Sequence, residues 1–140
     1  MGRVLGVDLG SRRIGLALSD PDGRVATPHG VVERSSNPVA DHRTILARAR
    51  EAGASRVVVG LPLSLSGDVG PAARAVLGEV DSLRALSGGE VTVETHDERL
   101  TTVIAERGMR AAGASRRARR RNVDPAAATV MLQSYLEART

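Results

Sequence analysis

Apolar residues follow two rhythms along this chain. In the N-terminal part they form short runs broken by turn residues. Arg3–Leu9 (R-V-L-G-V-D-L), Ile14–Ser19 (I-G-L-A-L-S) and Val25–Val32 each predict a strand. Gly10-Ser11-Arg12-Arg13 is short enough for a hairpin, and Asp20-Pro21-Asp22-Gly23 carries the residues of a tight turn. The opening is therefore an antiparallel meander. Asn37-Pro38 then reads as an N-cap with proline in the first helical turn, predicting a helix that runs through Ala52 and stops at Gly53.

The rest alternates. Arg56–Leu61 is β-branched and nearly continuous, as in a strand covered on both faces. Pro62 ends it, and Leu63 to Gly70 reads as a loop. Ala73, Val76, Leu77, Val80, Leu83 and Leu86 have helical spacing, with Gly88-Gly89 as the stop. Glu90–Thr95 alternates as a strand. Thr101 or Thr102 could cap a helix to about Ala112. Asp124-Pro125 opens a last helix to about Glu137. The order β-β-β-α-β-α-β-α-α predicts an α/β fold, a mixed sheet with helices on its faces. Right-handed crossovers set the fourth strand parallel to the first and the fifth parallel to the fourth. No repeat or linker divides residues 1–140, so one domain is expected.

Such sheets place their sites at the carboxyl ends of the parallel strands. Asp8 ends the first strand, Asp97 and Glu98 follow the fifth, and Asp124 opens the last helix. Carboxylates without cysteine or spaced histidines suit hard cations, so Mg2+ or Mn2+ is the expected ion. Each acid also has a plainer role. Asp8 could bond its own turn, Asp97 and Glu98 could ion-pair with Arg99, and Asp124 could simply cap its helix. Strand alternation would turn only one of Asp97 and Glu98 toward a common site. His29, His42 and His96 lack ligand spacing and read as surface or core histidines.

Charge sharpens the picture. The 140 residues carry 20 basic and 16 acidic groups, and every basic one is Arg. Seven of these Arg lie between Arg107 and Val123 with no acid among them; outside that segment 13 Arg face 16 acids, a net of −3. A local cationic patch is the footprint of a polyanion partner, or else a solvated loop. Arg12, Arg13, Arg116, Arg117, Arg119, Arg120 and Arg121 are the expected phosphate contacts. With no Phe or Trp and one Tyr, base stacking on aromatic platforms is excluded as the main binding mode. The absence of cysteine excludes disulfides and thiol chemistry. No apolar run approaches the ~20 residues of a membrane span, so a cytoplasmic protein without a membrane partner is expected. Walker, dinucleotide and G-x-S-x-G motifs are absent from the sequence.

Four segments are specific enough to compare. G-V-D-L-G-S-R-R-I-G-L-A-L-S-D (Gly6–Asp20) resembles the opening of the YqgF/RuvX family, RNase H-like proteins described as pre-16S rRNA nucleases and related to Holliday junction resolvases. V-G-L-P-L-S-L-S-G (Val59–Gly67) matches its G-L-P-L-x-x-x-G pattern, and D-E-R-L-T-T (Asp97–Thr102) its D-E-R-[LM]-[ST]-T. D-P-A-A-A-x-x-x-L-Q-S-Y-L (Asp124–Leu136) matches its ending. The resemblance implies a five-stranded RNase H-like sheet in the order 3-2-1-4-5, in one nuclease domain. It also implies a metal-dependent endonuclease, with Asp8, Glu98 or Asp97, and Asp124 catalytic and with Asp8, Glu98 and Asp124 as metal ligands. Precursor 16S rRNA, cut near its 5′ end, is the favoured substrate. The alternatives are branched DNA, which a two-fold homodimer would resolve, or nucleic-acid binding without catalysis. One departure stands out: many RNase H-like nucleases carry an acid at the end of the fourth strand, where this chain has Gly60-Leu61-Pro62. The D-E-R motif is the expected substitute.

Overall fold

The computed structural model describes residues 2–99 and 123–139, the side chains of 123–125 excepted. β1 (Arg3–Leu9), β2 (Arg13–Ser19) and β3 (Ala26–Glu33) form the meander. α1 (Pro38–Glu51), β4 (Ala54–Leu61), α2 (Pro71–Ser87) and β5 (Thr92–Asp97) follow, and α3 (Val123–Ala138) comes last. The sheet order is β3-β2-β1-β4-β5. β4 lies parallel to β1 and β5 parallel to β4, while β2 and β3 run antiparallel. The expected architecture is thus observed.

Local chemistry explains most boundaries. The Asn37 side chain accepts from the Val39 and Ala40 amides at 3.1 and 3.3 Å, and Pro38 occupies the first turn. α2 starts at Pro71 by the same device, although Gly70 supplies no side-chain cap. β5 starts two residues later than the sequence pattern suggests and extends to Asp97. Its parallel pairing with β4 continues through Leu61–Asp97, and that pairing carries the strand past its apolar stretch. α3 begins at Val123, one residue ahead of the expected cap. The expected helix from Thr101 or Thr102 to about Ala112 lies outside the described residues.

Pleat alternation divides the core into two layers. Leu5, Val7, Ile14, Leu16, Val57, Val59 and Val93 face α1 and α2, meeting Ile45, Leu46, Ala49, Val76, Val80 and Leu83. The other face presents Val4, Ala17 and Val58 to Ala128, Met131, Leu132, Tyr135 and Leu136 of α3. On that face Gly6 pairs with Ala17 across β1 and β2, leaving a shallow seat for the helix. A Cβ on Gly6 would fall 2.8 Å from the Leu132 Cβ and 3.4 Å from the Ala128 carbonyl oxygen. Gln133 reaches the other way, accepting from the Ala26 amide and donating to the Arg24 carbonyl at the far edge of the sheet. The direction of α3 therefore carries its first residues toward the edge where β1 ends. No helix among the described residues is long and apolar enough to cross a membrane.

Candidate active site

The carboxyl ends of β1, β4 and β5 share one edge, because the three strands are parallel. β1 and β4 stay in register through Val7–Val59, so Asp8 and Gly60 come next, side by side. Val4 and Val58 face α3, and alternation puts Asp8 and Gly60 on that same side. Glu98 follows β5 directly and reaches across Gly60. A Cβ at position 60 would lie 2.8 Å from the Glu98 carboxyl carbon and 2.9 Å from its Cγ. Glu98 thus fills the space that a side chain at the end of β4 would take. Its carboxyl group hydrogen-bonds that of Asp8.

Two carboxyl groups in hydrogen-bond contact share a proton or must share a cation. Burial pushes the Glu98 carboxyl up from 4.5 to about 7; the Asp8 charge, the hydrogen bond to Asp8 and the Asp97 charge add to the rise. The pair concentrates negative potential at the sheet edge, and all its donor atoms are oxygens.

Asp97 has a different task. It accepts from the Arg99 Nε at 2.9 Å, from Nη2 at 2.6 Å and from the Arg99 amide at 2.9 Å. The hydrogen bond from the Arg99 side chain holds the Asp97 carboxyl below its ordinary range. Arg99 also donates through Nη1 to the Leu65 carbonyl at 3.4 Å, tying the β5 end to the loop after β4. Consecutive acids therefore diverge, Glu98 toward Asp8 and Asp97 toward Arg99. His96 is bonded to Ser134 Oγ at 3.0 Å and meets the Tyr135 ring edge-on, and burial lowers its pKa.

Arg12 stands exposed in the turn between β1 and β2 and Arg13 exposed at the start of β2, both on the Asp8 edge; Arg13 pairs with Glu33 at 3.3 Å. Asp124 is the second residue of α3, and its side chain lies outside the described residues, as do Arg116, Arg117, Arg119, Arg120 and Arg121. Among the described residues, no three His, Cys, Asp or Glu side chains gather in metal-binding range.

Sequence reasoning missed two supports. One is Gly60, which admits Glu98; its signal was the missing acid at the end of β4. The other is a half-buried polar chain under the β1 turn. Arg34 donates to the Gly10 carbonyl at 2.9 Å and grips Glu79 with both terminal nitrogens at 2.6 and 3.0 Å. Glu79 meets His42 Nε2 at 2.8 Å, and His42 Nδ1 lies 2.8 Å from Ser82 Oγ. Burial alone would raise the Glu79 pKa, but the Arg34 and His42 hydrogen bonds outweigh it and hold it low. His42 shares its helix stripe with Ile45, Leu46 and Ala49, and that position in the apolar face was the available clue.

The model of the family described as "RuvX: Holliday junction resolvase" matches residues 2–138. A Desulforudis audaxviator protein named "Putative pre-16S rRNA nuclease" is 47% identical over 137 residues, covering 98% of this chain and 95% of the relative. A Kineococcus radiotolerans protein of the same name is also 47% identical, covering 98% of this chain and 72% of its own. Among solved structures, Thermus thermophilus RuvC in complex with a Holliday junction substrate superposes with a TM-score of 0.65 at 17% identity, covering 99% of this chain and 96% of RuvC. At that identity the likeness is one of fold.

Proposed function

The chain belongs to the RuvX family, and from that premise we propose that it is a divalent-cation-dependent endonuclease that trims the 5′ end of precursor 16S rRNA in the cytoplasm. It is a hydrolase of phosphodiester bonds, and nucleic acid is its substrate. The observation that carries the reading is the meeting of Asp8 and Glu98 over Gly60.

The donor set fits Mg2+ or Mn2+. Both ions prefer carboxylate oxygens, and two like-charged carboxyl groups in contact are stabilised by a cation between them. Asp8 and Glu98 would hold the ion, with Asp124 as a third ligand from α3. Such an ion supplies Lewis-acid polarisation of the phosphoryl group and lowers the pKa of water. The protein does the rest. Glu98, raised to about 7 by burial and the Asp8 charge, shares a proton with Asp8 near neutral pH and would give it up on holding an ion. Asp97 positions Glu98 indirectly, by fixing Arg99 and the end of β5. Arg12 and Arg13 bind backbone phosphates beside the acids, and Arg116, Arg117, Arg119, Arg120 and Arg121 extend that contact. Such contacts fix the register of the strand without reading its bases.

The test is cleavage of a 5′-extended 16S rRNA fragment by the purified protein, with and without Mg2+ or Mn2+. Cation-dependent cutting that falls at least about 100-fold in Asp8→Asn and Glu98→Gln is expected. Equal cutting by wild type and Asp8→Asn would overturn the mechanism. The family description keeps branched DNA in view as the second substrate. A dimer that nicks four-way junctions and spares the RNA would transfer the same chemistry to DNA, and salt-sensitive binding without any cutting would leave only a binding module.

A further inference from the structure

The loop between β4 and α2 carries a side chain with no role in the fold. Leu65 is 94% exposed, the most exposed of the large apolar residues described. Its turn is nonetheless firmly built. The Ser64 amide donates to the Asp68 carbonyl at 3.1 Å, and the Gly67 amide to the Ser64 carbonyl at 2.8 Å. Ser64 Oγ accepts from the Asp68 amide at 3.1 Å, and Ser66 Oγ donates to the Asp68 carboxylate at 2.9 Å. Arg99 adds a clamp from outside, bonding the Leu65 carbonyl while its guanidinium lies against Gly67; a Cβ there would fall 3.2 Å from Nη1. The other end of the clamp is Asp97, the neighbour of Glu98. Leu65 is therefore presented on a fixed turn, at a fixed place relative to the acid pair.

A nucleic-acid substrate lying on that edge offers apolar surface only through its bases. The chain has little to meet it with. It contains no Phe or Trp, and its single Tyr135 is buried and hydrogen-bonded to Arg56 and Glu94. An aliphatic side chain can do the work of an aromatic one here, since leucine is among the residues that wedge between base steps. Building on the nuclease reading above, we infer that Leu65 is an apolar wedge that contacts a nucleobase of the substrate and unstacks it beside the bond to be cut. Its contribution is specificity for strands that open easily near that bond, such as junctions, ends and loops, because unstacking costs least there.

The experiment places 2-aminopurine in turn at each position flanking the cleavage site, in a 5′-extended 16S rRNA fragment and in a four-way DNA junction. Fluorescence is followed in a stopped flow before cleavage. Wild type is expected to brighten one position on binding. Leu65→Ala should lose that rise and cut subsaturating substrate about 10-fold or more slowly. Leu65→Met should recover most of both, and thermal melting should be unchanged in each variant. A wild-type rise that persists in Leu65→Ala, or cleavage with no rise at any position, overturns the wedge and leaves the nuclease standing. Failure of wild type to bind or cut either probe overturns the nuclease reading and the wedge with it. A change in oligomeric state on Leu65→Ala, measured by sedimentation, assigns the leucine to a protein contact and also overturns the wedge.

Discussion

Gly60→Ala adds one methyl group at the place where two strands bring their acids together. The new Cβ would sit 2.8 Å from the Glu98 carboxyl carbon and 2.9 Å from Cγ, where ordinary contact begins at 3.4 Å. The side chain must retreat by about half an ångström or more, or swing off Gly60 altogether. Displacements of about 1 Å at a reacting centre cost on the order of 100-fold in rate, so a loss of about 30- to 100-fold in single-turnover cleavage is expected. Stability should move little. Alanine restricts the unfolded chain by about 0.4–1 kcal/mol, which offsets strain from the methyl group. The carboxyl group of Glu98, once swung off Gly60 into water and away from Asp8, should titrate closer to its ordinary 4.5 than to about 7. Carbon-detected NMR of labelled glutamate reports that shift, urea melts report stability and a 5′-extended RNA reports cleavage. A Gly60→Ala protein that cuts at the wild-type rate with its Glu98 titration unmoved would refute the contact on which the site is built.

Three further outcomes follow from other contacts. Glu98 has a folded pKa of about 7 against 4.5 in the unfolded chain, so the folded state keeps a proton that the unfolded state releases between those values and stability falls as pH rises through that window. The full rise corresponds to about 3 kcal/mol, which solvent at this half-buried site reduces to about 1–2 kcal/mol; Glu98→Gln should lack that loss, and urea melts at pH 5 and pH 8.5 that fall equally in both proteins would contradict it. Arg34→Ala leaves Glu79 with His42 alone and frees the Gly10 carbonyl, a cost of about 2–4 kcal/mol. Because Glu79 has a depressed folded pKa, its contribution is present above the unfolded value of 4.5 and lost as pH falls, so the gap between Arg34→Ala and wild type should narrow in acid melts. Gly6→Ala drives a Cβ into Leu132 and should cost about 1–3 kcal/mol, visible as a lowered melting temperature; an unchanged melt would mean that α3 is not seated on Gly6.

Much of this was written in the chain. Asn37-Pro38 announced α1 because capping is local chemistry, and the β-branched run ending at Leu61 announced a covered strand. Alternation predicted that Asp97 and Glu98 would part, but not which would turn inward. That choice depends on Arg99, which captures Asp97, and on Gly60, which gives Glu98 room. Contacts across strands are invisible to any window along the sequence. The same holds for Ser82–His42–Glu79–Arg34, whose members come from two helices and the loop after β3. Pro71 was passed over because Gly70 gives no side-chain capping signal.

The seat of α3 on Gly6 makes the chain intolerant of length changes within one particular turn. Ala128 and Leu132 key the helix to the sheet, and residue 124 precedes the first of these by about one turn. An insertion between 124 and 128 would leave every core side chain downstream in place. It would also rotate the start of the helix by about 100° and advance it by about 1.5 Å. Homologous chains can therefore drift in composition along this turn, but a gap or an extra residue there would put the helix start out of phase with the strand edge at which Asp124 is proposed to act.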